Sequence, residues 1–455
     1  MDERPNILLI TMHDLGTHLG CYGWDPALSS PHLDRLAGEG VRFENHFCTA
    51  PYCSPSRGGI ITGRYPHVNG LMGLVNLGWD IPDANPFLPS ELKRAGYDTA
   101  LFGLQHVAED PTRLGYDLIS ERRAYGCRAV VPMVVDHLER LPTQSERPFY
   151  LEVGFSEVHR AYGGLELLPV REEDISPLPY LKDTQGLRMD MAMFYENIRR
   201  MDHTVGQILD ALSSLGLADN TLVVFTTDHG IAFPRAKATL YDSGIRTTLL
   251  MRWPGGIRGG RTVPAMISNV DLLPTLVEIA EVSPPEGCNG ESFLGQLAGG
   301  SREGRASIFA EKNTTADDIK RCVRTNRYKY IRNYSEGPRL ALPTDIEVTA
   351  TRRDMGDAHL APRPPIELYD LADDPWEQDN LVGQEVHRAT EAEMDAMLHR
   401  VLEQTQDPIL EGAVPRPTRE ADIVAGIRNP DAMQRRAENE AKVQAEYEVL
   451  RSQGA

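Results

Sequence analysis

The stretch Cys53-Ser54-Pro55-Ser56-Arg57-Gly58-Gly59-Ile60-Ile61-Thr62-Gly63-Arg64-Tyr65-Pro66-His67 governs how the rest of this chain is read. A buried cysteine packs as a small hydrophobe, and its reactivity is what gives it importance. Here it is followed at two residues by Pro55, which removes a backbone donor and stiffens the segment. At four residues comes Arg57, whose planar fork of donors suits an oxyanion or the positioning of a nucleophile. Gly58 and Gly59 permit a tight backbone path, so the segment reads as a loop. Taken alone, the same residues also fit a buried structural thiol beside a surface arginine.

Working outward, short apolar runs alternate with segments of helical spacing. Asn6–Met12, Thr99–Gly103, Phe149–Phe155 and Leu222–Thr226 read as buried parallel strands. Ser30–Gly40, Leu88–Ala95, Ala129–Leu141 and Met189–Leu215 carry apolar residues at helical intervals. The alternation predicts an α/β domain, a mostly parallel sheet flanked by helices. Each predicted strand runs on into ionisable residues: His13-Asp14, then His106, then His159-Arg160, then Asp228-His229. Ligands of open α/β sheets bind at the carboxyl ends of the strands, so four strands deliver titratable groups to one edge.

These residues carry a resemblance. Cys53-x-Pro55-x-Arg57 resembles the signature of type I sulfatases, in the alkaline phosphatase superfamily, and Thr62-Gly63-x-x-Pro66-x-x-x-Gly70 resembles its continuation. Gly103-Leu104-Gln105-His106 is similar to the family's Gly-Lys-x-His, and Thr227-Asp228-His229-Gly230 to its Asp-Asn/His-Gly. Ser156-Glu157-Val158-His159-Arg160 and Gly230-Ile231-x-Phe233-Pro234-x-x-Lys237-x-x-Leu240-Tyr241 are close in wording to the N-sulfoglucosamine sulfohydrolase branch. The resemblance spans roughly residues 5 to 385.

The resemblance implies a fold, a mechanism and a site. The fold is the alkaline-phosphatase-like sheet with a smaller C-terminal α+β domain. Cys53 is converted to formylglycine by a formylglycine-generating enzyme, and the hydrated aldehyde attacks sulfur to give a covalent sulfate ester. Its second hydroxyl then loses a proton, the aldehyde re-forms and sulfate leaves, a route closed to a serine. Asp14, Asp228, His229 and the Cys53-derived oxygen are the implied metal ligands, with His13 either a ligand or hydrogen-bonded behind one. Arg57, His106, His159 and Lys237 join Cys53 as catalytic candidates, Lys237 against the sulfate and either histidine as acid. Arg160 is a substrate-binding candidate, and Glu311 and Lys312 are placed at the outer substrate pocket.

Two departures matter. His13 stands where the family has an aspartate, and Leu104 where it has a lysine. The family usually binds Ca²⁺, an oxygen-seeking ion, whereas imidazoles favour Mn²⁺ or Zn²⁺ among the contenders. Leu104 removes a cation from the sulfate pocket, a loss that Arg160 could partly replace.

The chain has 455 residues, 41% hydrophobic and 25% charged, ordinary for a globular protein and long enough for more than one core. Its formal net charge of -19 argues against nucleic acid or an anionic membrane as partner, so an anionic substrate needs a local cationic pocket. No apolar run approaches a membrane span. Met1-Asp2-Glu3-Arg4-Pro5 leads at once into Asn6-Ile7-Leu8, without signal-peptide character. Six cysteines without CxxC spacing then fit a reducing cytoplasm.

From about Ser301 the pattern changes. Arg324–Ile331 alternates like one half-exposed strand, Glu367–Leu371 reads as another, and Glu391–Gln404 as a helix. The expected division is a catalytic α/β domain over 1–300, an α+β subdomain over 301–410, and a polar tail over 411–455. That tail is expected to wrap the surface, end in a charged helix and offer a contact for homo-oligomers. The leading expectation is a sulfatase acting on a sulfate ester or sulfamate, of a small molecule or saccharide. A phosphonate or phosphate ester hydrolase is the enzymatic alternative, and a non-catalytic binder with unmodified Cys53 the other.

Overall fold

The computed structural model describes residues 4–120, 125–141, 147–164, 170–300, 303–314 and 318–453. Its first sheet contains β1 (Asn6–Met12), β2 (Val41–Phe47), β3 (Asp98–Gly103), β4 (Leu118–Ile119), β5 (Phe149–Gly154), β6 (Thr221–Thr227), β7 (Arg246–Thr247), β8 (Leu249–Arg252) and β9 (Arg261–Ser268). The order is β4-β3-β5-β1-β6-β8-β2-β7, with β9 also paired to β2. The four strands predicted to feed the site are consecutive neighbours, β3-β5-β1-β6, and all parallel. β7 and β8 run antiparallel to β2, and β8 to β6, so the sheet is mixed but mostly parallel.

A sheet covered on both faces needs apolar residues at successive positions. In β1, Ile7 and Leu9 enter one core while Leu8, Ile10 and Met12 enter the other; in β6, Leu222 and Val224 oppose Val223 and Phe225 in the same way. The 30-residue helix Gln185–Ser214 covers the second face, its start capped by the Thr184 hydroxyl accepting from Leu187 N. Truncating a buried aliphatic in either layer costs about 2–5 kcal/mol.

The second sheet is antiparallel, in the order β10 (Ile308–Asn313), β11 (Ile319–Arg324), β12 (Tyr328–Asn333), β13 (Ile366–Asp370). The single strand expected over Arg324–Ile331 is instead a hairpin corner. Thr325 N donates to Tyr328 O (2.8 Å) and Tyr328 N donates to the Thr325 hydroxyl (2.9 Å), closing a turn between β11 and β12. The boundary expected at Ser301 falls on residues outside the described ones. The helix Arg388–Thr405 packs on this sheet, and the chain ends in helices Glu420–Ile427 and Pro430–Gln453.

The Cys53 segment is also a correction. Cys53–Thr62 is a helix with every residue buried, not a loop. Pro55 lies in its first turn, where a missing N–H costs nothing because those donors have no helical partner.

Candidate active site

Register sets the site. Met12 of β1 pairs with Thr227 of β6, so the next residues, His13-Asp14 and Asp228-His229, emerge side by side. Asp14 adopts a left-handed backbone (φ 53°), a conformation that a non-glycine residue holds only when its surroundings enforce it. Here Asp14 N donates to Asp228 Oδ1 at 3.0 Å, and His229 N donates to the same oxygen at 2.9 Å. The helix Cys53–Thr62 supplies the next groups. Arg57 Nε lies 3.1 Å from Asp228 Oδ2, and its other nitrogens donate to Met12 O (2.9 Å) and Leu104 O (3.4 Å). The Ser56 hydroxyl donates to the Asp228 carbonyl.

One ligand atom each from His13, Asp14, Cys53, Asp228 and His229 lies within 4.8 Å of all the others, and all five residues are buried. His229 Nδ1 faces Gly230 O at 2.9 Å; a carbonyl only accepts, so Nδ1 carries the proton. The Nε2 lone pair is thereby aimed at Asp14 Oδ1 (3.2 Å) and Cys53 Sγ (3.4 Å). His13 Nδ1 stands 3.0 Å from Asp14 Oδ1 and 3.2 Å from Asp228 Oδ2, positions that a proton or a shared cation could serve. Burial lowers the His13 pKa to about 4, against the pull of Asp228 and Asp14, so its ring is neutral at neutral pH. Burial alone would raise Asp14, but Lys237 and then the neighbouring histidines hold it well below the usual carboxylate range. Two carboxylates and two imidazoles around one point fit a divalent metal.

Lys237 closes the other side. Its Nζ lies 2.7 Å from Asp14 Oδ2, 2.8 Å from Asp345 Oδ2 and 3.3 Å from His159 Nε2. Burial would lower its pKa, but Asp14 and Asp345 outweigh that and keep it charged. His159 Nδ1 donates to the Arg160 carbonyl, leaving Nε2 as the acceptor toward Lys237. His106 follows Gly103 in a left-handed turn (φ 57°); burial, reinforced by His13 and Arg57, lowers its pKa to about 3. Burial also pushes the Cys53 thiol well above its ordinary range, with Lys237 opposing only in part, so an unmodified Cys53 is a protonated, poor nucleophile.

Cys53, His106, His159 and Lys237 all line a cavity of about 170 Å³, with Tyr52 and Asp345. The site thus gathers every residue expected at the metal and the nucleophile. The three substrate-binding candidates lie outside the lining of this cavity. Arg160 borders a second cavity of about 350 Å³ shared with His13, Leu104, His106 and His159, but its buried guanidinium reaches Glu440 (3.0 Å), Asp190 (3.3 Å) and Ala232 O (2.9 Å), between the rings of Tyr162 and Phe233. Its donors are turned to those acids. Glu311 is buried against His67 (2.7 Å) and Arg321 (3.6 Å), and Lys312 is buried on Asp318, so neither reaches the cavity. Sequence reasoning missed Asp345, Tyr52 and the cavity wall contributed by the tail. Tyr52 directly precedes the motif and was open to inspection, whereas Asp345 belongs to no periodic segment.

A buried cluster of two carboxylates, two imidazoles and a thiol on the carboxyl edge of a mostly parallel sheet, able to hold a divalent metal, fits a metal-assisted hydrolase of tetrahedral esters. The family model described as Sulfatase matches residues 5–282, and that described as N-sulphoglucosamine sulphohydrolase, C-terminal, matches 230–346. The chain belongs to the sulfatase family and is a sulfuric ester hydrolase. It is 28% identical to an ulvan-active sulfatase of Formosa agariphila, over 88% of this chain and 75% of that one. It is 29% identical to human N-sulphoglucosamine sulphohydrolase, over 83% of this chain and 86% of that one. The phosphonate monoester hydrolase of Agrobacterium radiobacter shares the fold, with a TM-score of 0.71 at 20% identity, covering 91% of this chain and 100% of that one.

Proposed function

We propose that the chain removes sulfate from an ester or sulfamate of a small saccharide, with Cys53 acting as formylglycine and with Mn²⁺ or Zn²⁺ preferred over Ca²⁺ in the cluster. The observation that carries this reading is the placement of Cys53 Sγ 3.4 Å from His229 Nε2 at the head of a buried helix, facing the cavity that Lys237 also lines. The protonated thiol supports modification, because Cys53 in its encoded form makes a poor nucleophile there. The two imidazoles support the metal preference. The saccharide rests on the two relatives, whose names specify ulvan and N-sulphoglucosamine.

Asp14, Asp228, His229 and His13 would hold the metal, with the Cys53-derived oxygen. When bound, it supplies polarisation of the sulfuryl oxygens and favours the deprotonated hydroxyl of the formylglycine hydrate. Lys237 places its ammonium against the sulfuryl oxygens, in the absence of the cation that Leu104 replaces. Arg57 fixes Asp228. His159, whose side chain is 34% exposed, faces the leaving group, while the half-buried His106 positions the nucleophile. Cytoplasmic residence belongs to the same proposal, supported by six unpaired cysteines, as does maturation by a formylglycine-generating enzyme. A homo-oligomeric state is a further part of it.

Mass spectrometry of the Cys53 peptide tests the reading directly: formylglycine is expected, and a fully unmodified thiol in an active preparation overturns it. Leu104 favours a second reading, hydrolysis of phosphonate or phosphate esters. Paired kcat/KM values on aryl sulfate, phosphonate and phosphodiester separate the two, with the sulfate expected to lead.

A further inference from the structure

The C-terminal helix Pro430–Gln453 turns one face to the body of the protein. Glu440, Val443 and Tyr447 lie on that face at helical spacing and are buried, Glu440 gripping Arg160 at 3.0 Å. Arg436 stands one turn before Glu440 on the same face, where the packed surface gives way to the active-site cavity. The phase of the helix therefore places the exposed Arg436 at the rim of the cavity. Val424 and Ile427 of the preceding helix line the same wall.

The other cations of the lining are committed. Lys237 bridges Asp14 and Asp345, and Arg428 bridges Glu347 at 2.8 Å and donates to Leu342 O at 2.8 Å. Among the described residues, the Arg436 side chain makes no hydrogen bond or ion pair. On a chain of formal net charge -19, acidic partners for a surface arginine are abundant, so an uncommitted one at the cavity mouth stands out. The tail also lies beyond both family matches, which end at residues 282 and 346.

We propose that Arg436 binds a second anionic group of the substrate, a carboxylate or second sulfate on the unit that is desulfated, making the C-terminal helix a specificity element for dianionic substrates. This rests on the sulfatase reading of the site. The cavity beside Arg436, about 170 Å³, is below the ~300 Å³ usual for drug-sized ligands, a size that suits one small unit carrying both anionic groups. The apolar strip of Val424, Ile427, Leu74 and Leu77 meets the carbon face of that unit.

Calorimetry of the metal-loaded protein with inert sulfonates tests the idea without turnover. Benzenesulfonate carries one anionic group; the 3- and 4-sulfobenzoates add a carboxylate; 1,3- and 1,4-benzenedisulfonate add a second sulfonate. Arg436→Gln should weaken at least one dianion roughly tenfold, the scale of one charge-assisted hydrogen bond, and leave benzenesulfonate unchanged. Arg436→Lys should restore part of the loss, and added salt should shrink only the Arg436-dependent part. Whichever dianion responds identifies the second group. Equal losses for all ligands, or none for any dianion, overturn the proposal. Wild-type turnover of 4-nitrophenyl sulfate is measured in parallel: its absence overturns the sulfatase reading, while the binding comparison still decides the role of Arg436.

Discussion

Lys237 is the side chain on which the site's electrostatics balance, one ammonium between Asp14 and Asp345. A cation against the reacting group acts where charge develops, and losing one such donor costs on the order of 2–4 kcal/mol. Lys237→Ala should therefore lower kcat/KM roughly 30- to 1,000-fold, and unchanged steady-state kinetics would remove Lys237 from sulfate recognition. Asp345 shares this ion pair, so the truncation also leaves a buried acid unpaired. Adding Asp345→Asn to Lys237→Ala should recover thermal stability without recovering activity; stability measurements on the single and double variants separate the two effects. At the neighbouring Asp228, substitution by Ala removes the partner of Arg57 and one of two carboxylates in the cluster. Metal content by elemental analysis should fall together with rate, and full occupancy in that variant would show that Asp228 is no ligand.

At the scale of elements, the close approach of β3 and β5 at their carboxyl ends fixes the loop that carries Leu104 and His106. Gly103 pairs with Gly154, and Leu104 N donates to Gly154 O at 2.8 Å. A Cβ on residue 154 would stand 1.8 Å from Leu104 O, the oxygen that also accepts from Arg57. Gly154→Ala should thus destabilise by about 1–3 kcal/mol, as overpacking does, and lower kcat by moving Arg57 and His106. Wild-type melting temperature and kcat in this variant would contradict the tight approach of Gly154 to Leu104. The four site strands were legible in the sequence because buried parallel strands are short apolar runs with polar residues at their ends, as in Asn6–Met12 followed by His13-Asp14. The Cys53 helix was not, because proline and two glycines argue locally for a loop while tertiary burial overrides them. Arg160 looked available for the same reason: its partners Asp190 and Glu440 lie far along the chain. The tail's place in the cavity left no local signal either, since helix phase gains meaning only once the docking face is known.

Over the whole molecule, the two sheets are joined next to the nucleophile by a buried ion cluster. Glu311 of β10 accepts from His67 N (3.0 Å) and His67 Nδ1 (2.7 Å), just beyond the nucleophile helix. Arg321 of β11 binds Asp407 through two nitrogens, at 2.6 and 2.9 Å, and lies 3.6 Å from Glu311. Burial by itself would raise the Glu311 pKa, but His67 and Arg321 outweigh it and hold it at about 2. A carboxyl whose folded pKa lies below its unfolded value of ~4.3 stabilises the fold above that value. The contribution fades as pH falls from there and is gone below about 2, where both states are protonated. Acid should therefore loosen the seam between the sheets as pH drops from about 4 toward 2. Glu311→Gln removes one partner of a buried charge cluster and should cost about 3–5 kcal/mol at neutral pH. Because the substituted amide does not titrate, that difference from wild type should shrink steadily between pH ~4.5 and ~2.5. Urea unfolding of both proteins across this range measures it. A stability gap independent of pH would show that Glu311 acts through packing, not through its charge.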